Sequence, residues 1–157
     1  MSRRPLMSKL HDVTALAARA VVGVVLIAHG LPKATDTGGT AAGFEAMGIP
    51  APEVAALVGA VIEVGFGAAL IIGLLLPVTG VVLLAMMGSA IAFAHVGDPL
   101  VGGYELPMVL GLTALALGFS GGRLALDSLL PLPWNERRAQ KDGTPAEESG
   151  TKDSLSV

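Results

Sequence analysis

The chain has 157 residues, 52% of them hydrophobic and 15% charged, with a net charge of −3 at neutral pH and no cysteine. A soluble domain carries about 25% charged residues, so the composition points to a membrane protein of one domain. The missing cysteines exclude disulfides, thiolate metal sites and a cysteine redox relay within the chain. The mild negative charge argues against nucleic-acid binding.

Charges are sparse between Val13 and Ser120, where long apolar runs dominate. A membrane helix needs about 20 mostly apolar residues, and four segments meet that need. Residues 1–12 form a polar lead carrying Arg3, Arg4 and Lys9. Span one then covers Val13–Leu31. A basic start before an apolar run is also the pattern of a secretory signal. Arg19 interrupts this run, no small-residue cleavage site follows, and cleavage would leave an odd number of spans. The connection to span two contains "TAAGFEAMGIPAP", which predicts a short helix over about Thr40–Met47. Gly48 is placed to end it in the left-handed conformation, with Pro50 preventing its continuation. Phe44 and Met47 are expected to dip into the interface.

Span two covers Glu53–Leu76 and span three Val78–Val96, with Pro77 expected in a very short connection between them. Span four covers Glu105–Ser120. Basic residues near span ends stay on the cytoplasmic side. Arg3, Arg4 and Lys9 precede span one, and Arg123, Arg137, Arg138 and Lys141 follow span four. The expectation is an all-α, polytopic four-helix membrane bundle over residues 13–130, in the plasma membrane, with both termini cytoplasmic. Trp134 beside Arg137 and Arg138 suits an interfacial anchor. Residues 131–157 read as a cytoplasmic tail, largely disordered because it has few large apolar residues to bury.

Glu63 lies about 15 Å into span two, near mid-bilayer at 1.5 Å per residue. An acid there costs roughly 2.5–3.5 kcal/mol on insertion scales. Gly59, Glu63 and Gly67 recur every fourth residue, so the acid is expected on a close-packing face turned into the bundle. Desolvation favours its neutral form unless a cation pairs with it. Arg19, Gly23, Gly30 and Lys33 share roughly one face of span one, with His29 about 80° from Arg19. Gly88 and His95 share a face of span three, and Glu105 opens span four. His29, Lys33, His95 and Glu105 therefore gather in the outer third of the bundle, above Glu63.

That cluster supports three kinds of chemistry. His29, His95, Glu63 and Glu105 could hold a non-covalently bound metal, since imidazole and carboxylate suit iron, zinc or manganese. The same groups could bind a quinone headgroup and exchange protons with it, or line a path for protons or small solutes. The plainer alternatives are that Glu63 holds helices together, Arg19 snorkels to the surface, His29 and His95 face interfacial water, and Glu105 favours a helix start.

The ordered set of Arg19, "HGLPK" ending span one, "GF" and "MGIP" in the loop, Glu63 with Gly67, His95, "GGYELP" and the closing "SGGRLALD" resembles the DoxX family of small four-helix membrane proteins. The match covers about Ala18–Leu130. The resemblance implies family positions at Arg19, Gly30, Lys33, Gly48, Glu63, His95, Glu105 and Asp127. It also implies a membrane subunit linked to an oxidoreductase, either quinone-dependent or engaged in oxidative stress. Ser120 and Ala125 depart from the family's closing pattern, where Gly and Ser are usual. On this reading Glu63 and His95 handle protons, His29, Lys33 and Glu105 shape the ligand site, and Arg19 and Asp127 play structural, charge-bearing roles. The expected partners are the lipid bilayer, oxidoreductase subunits and further copies of the chain. The competing readings are non-enzymatic transport and a membrane anchor.

Overall fold

The structure, a computed structural model, describes residues 4–120 and 124–130. Trp134, the basic residues of the tail and the tail itself lie outside the described residues. All regular structure among the described residues is helical, and four helices are long and apolar enough to cross a bilayer.

Helix α1 spans Arg4–Thr35 and includes Pro32. It buries Ala15, Arg19, Val22, Gly23, Leu26 and Gly30, a stripe at three- and four-residue spacing that turns one face inward. Val21 and Val24 stay exposed on the other side, as side chains facing lipid must. Helix α2 spans Thr37–Ala46. It starts where Asp36 accepts a hydrogen bond from the Gly39 N–H at 2.8 Å, satisfying one of the free donors of a helix N-terminus. It ends as expected, with Gly48 at φ +72°. The Ile49 N–H donates to the Phe44 carbonyl at 2.9 Å, closing the terminal turn.

The second membrane segment has three parts: α3 at Pro52–Val61, a π-helical turn at Ile62–Phe66, and α4 at Gly67–Ile72. It stops four residues before the expected Leu76, because Gly73 adopts φ +75° and reverses the chain. The connection is Gly73–Leu75. Pro77 is not part of it but lies in the first turn of α5, Leu76–Ala94, where its missing N–H costs nothing. An irregular turn over Leu100–Tyr104, non-helical at Val101 and Gly102, leads into α6 at Glu105–Ser120. A short 3₁₀ turn at Leu126–Leu129 follows.

Each membrane segment packs on the next, and α6 returns to α1, giving a ring in chain order. Leu26, Leu70, Leu83 and Ala114 fill its centre. Between α5 and α6, two places need glycine for close approach. A Cβ on Gly80 would stand 2.8 Å from the Ala114 carbonyl, and one on Gly118 would stand 2.7 Å from the Leu76 carbonyl. Both neighbours are backbone and cannot step aside, so α5 and α6 are held near backbone contact.

Candidate functional site

Glu63 is buried at the start of the π-helical turn. Such turns replace i→i+4 hydrogen bonds by i→i+5 bonds and recur at functional sites. The face predicted from Gly59, Glu63 and Gly67 is buried as expected. A Cβ on Gly67 would meet the Gly23 carbonyl at 3.1 Å, and one on Gly30 would meet the Glu63 Cβ at 2.8 Å. The glycines of α1 thus let the second segment come close enough for Glu63 to reach a cation.

That cation is Lys33, whose ammonium donates to Glu63 Oε2. The Glu63 side chain is 5% exposed and that of Lys33 22%. Lys33 therefore bridges the protein edge and the interior, its Cδ passing 3.9 Å from where a Cβ on Gly59 would stand and its head turned in. Pairing makes a charged acid tolerable at this depth. Arg19 and His95 are not its partners.

A cavity of about 580 Å³ opens above the pair, lined by residues of all four membrane segments and of the α2 connection. That volume falls within the roughly 300–1,000 Å³ of small-molecule sites. Most of the wall is apolar, including Leu26, Phe44, Val58, Met86, Phe93 and Leu110. The polar groups on the wall are His29, Lys33, Glu63, Ser89 and His95. His29 donates from Nδ1 to the Val25 carbonyl at 2.9 Å, which leaves its Nε2 for a ligand or water. His95 Nδ1 lies 2.9 Å from Asp98 Oδ2, so a carboxylate orients its ring.

The predicted outer cluster thus comes together in part. His29, Lys33, Glu63 and His95 share one cavity, while Glu105 is exposed and lies off its wall. The irregular turn before α6 sets Glu105 at the helix start, where an acid complements the helix dipole. Among the described residues, no three His, Asp or Glu side chains gather closely enough to share a metal ion. The donor set is an ion pair and two separated imidazoles, and it does not suit a metal centre.

Arg19 and Asp127 sit at the other end of the bundle, Arg19 about 21 Å along α1 from Lys33 at 1.5 Å per residue. Asp127 reaches back across the chain and accepts from the Leu75 N–H at 2.6 Å and the Leu76 N–H at 2.7 Å. It caps α5 from outside the helix, and its own N–H donates to the Gly73 carbonyl at 3.0 Å. Arg19 is fully buried beneath this turn and donates from Nη2 to the Leu124 carbonyl. Its Nε and Nη1 have no hydrogen-bond partner, and the Asp127 carboxylate supplies the nearby negative charge. Together they tie α1, the Gly73 turn, α5 and the segment after α6 into a closed end.

The chain is therefore a polytopic four-helix membrane protein, closed by an Arg–Asp cluster at one end and hollow above a Lys–Glu pair at the other. It belongs to the DoxX family, whose model matches residues 14–96. It is also similar to a Bacillus subtilis (strain 168) protein named "Putative oxidoreductase CatD", at 32% identity over 122 residues, covering 77% of this chain and 90% of the relative. No solved structure matches it.

Proposed function

We propose that this protein is the membrane subunit of an oxidoreductase system and that its cavity binds a quinone headgroup, with both termini on the cytoplasmic side of the plasma membrane. The observation that carries this reading is the apolar cavity with one buried ion pair at its base. An apolar wall suits a ring and its tail, and a few convergent polar groups fix orientation. A bound quinone would supply two-electron, two-proton redox chemistry. The Lys33 ammonium would hold a ligand carbonyl, while Glu63 keeps that ammonium charged and aimed. His95, oriented by Asp98 near the cavity rim, would pass protons between the cavity and water. His29 would offer its Nε2 to the ring's second oxygen. The name of the Bacillus relative supports an oxidoreductase context.

The test is quinone titration onto the purified protein in nanodiscs, compared with Lys33→Ala and His95→Ala. The expected result is saturable binding with one site per chain, weakened about tenfold or more in Lys33→Ala, the loss of one charge-assisted hydrogen bond. His95→Ala should bind normally but slow proton exchange. Absence of saturable binding, with Glu63-dependent proton leak in sealed vesicles, would favour the transport reading instead.

A further inference from the structure

The cavity is not sealed on its flank. Span two packs against α5 through the π-helical turn and α4, whereas α3 packs on α1 and α2. The upper half of span two thus leans away from α5, while its lower half stays pinned. Residues on both sides of the resulting cleft line the cavity and remain exposed: Val58 on α3 is 46% exposed and Phe93 on α5 is 50% exposed. Val58 lies six residues into α3, about 9 Å from its start. Ser89, exposed on the same wall, lies five residues from the end of α5, about 8 Å in. Both depths are within the span, so the opening faces the bilayer side and not only the aqueous end. A side chain reaches across the cleft at this level. Met86 of α5 reaches toward α3, its Cε lying 3.2 Å from where a Cβ on Gly59 would stand. Methionine is unbranched and flexible, and glycine opposite it leaves room to swing.

Charge narrows what passes. Lys33 and Glu63 neutralise one another at the cavity base. An anionic head would meet the carboxylate and a cationic head the ammonium. A neutral head with hydrogen-bonding oxygens meets neither penalty.

Resting on the quinone reading above, we propose that the ligand is a neutral-headed, long-tailed amphiphile dissolved in the bilayer, which enters sideways between α3 and α5 past Met86 and leaves its tail in the cleft. The cleft, rather than the α2 end, is the route for the natural ligand.

The test closes the cleft. The chain has no cysteine, so a Val58→Cys, Ser89→Cys pair, matched in depth, can be bridged with bis-maleimides of graded length in nanodiscs. The probes are a benzoquinone carrying a long isoprenoid tail, supplied in the bilayer, and the same ring without its tail, supplied in water. Measured against the same double-cysteine protein before bridging, the bridge should slow capture of the tailed quinone about tenfold or more and that of the tail-free ring by no more than about twofold, because the ring can still enter from the α2 end. Met86→Ala, a second variant that removes the crossing side chain, should speed capture of the tailed quinone. Unchanged capture after bridging, or failure of every spacer to join the two cysteines, would overturn the lateral route while leaving the binding site standing. Failure of both quinones to bind the unbridged protein would overturn both readings together.

Discussion

Lys33→Met removes the cation from the carboxylate at the base of the cavity. Glu63 is 5% exposed at its side chain, so its charge has no water to fall back on. Breaking a buried pair from one side costs about 3–5 kcal/mol, here as the work of burying Glu63 unpaired or of protonating it to the neutral form that desolvation then favours. Glu63→Met leaves Lys33 instead. That side chain is 22% exposed, so its ammonium can retreat along a flexible stem to the interface. This change should cost roughly 1 kcal/mol or less, the scale of exposed pairs. The double variant Lys33→Met, Glu63→Met removes both charges, and an apolar replacement of a buried pair is often neutral or stabilising. The double should therefore be more stable than Lys33→Met alone, within about 1 kcal/mol of the parent protein. Reversible unfolding by SDS in mixed micelles, followed by circular dichroism, reads all four proteins. Equal losses in the two single variants, or a double variant as unstable as their sum, would refute the asymmetry.

Asp127→Ala removes two charge-assisted bonds from the start of α5 and should cost about 1.5–3 kcal/mol, read as a lower midpoint in the same unfolding titration. Gly118→Ala sets a methyl against the Leu76 carbonyl and should destabilise by about 1–3 kcal/mol. Gly43→Ala in α2 is its control. With nothing within 4 Å, it should be neutral or stabilising by up to about 1 kcal/mol. Gly30→Leu pushes α1 away from Glu63, so it should weaken quinone titration and stability together. A variant that binds quinone normally would show that the close approach does not position the pair. Single cysteines placed at Ser2 and Ser154 should be blocked from a membrane-impermeant maleimide in intact cells; labelling of either one would reverse the proposed orientation.

The four spans could be read from sequence because a bilayer demands long apolar helices, whatever their neighbours. The short helix and its Gly48 terminator were equally legible, since caps are local chemistry. The N-cap Asp36 went unread, although Asp36 followed by Gly39 carried the signal. Glu63 announced itself by its depth and by the glycines four residues to either side. Its partner did not, because pairing depends on which helices are neighbours and on the π-helical turn, neither of which leaves a spacing in the sequence. The same limit hid Asp127 as the cap of α5, a contact bridging 51 positions. It hid Met86 as the side chain crossing the cleft, whereas Asp98, three residues after His95, is a local partner that the sequence did offer. Glu105 was drawn toward the ligand site by its place at the end of a span. An irregular turn, non-helical at Val101 and Gly102, precedes it, and such turns escape a purely helical projection.

The most direct measurement is native mass spectrometry of the protein released gently from its membrane. An adduct with the mass of one quinone per chain is expected, lost or strongly depleted in Lys33→Ala and retained in Glu105→Gln, whose side chain lies off the cavity. A bare chain from every membrane, or an adduct indifferent to Lys33 and Glu63, would contradict the quinone reading and leave the buried pair a device for holding helices together.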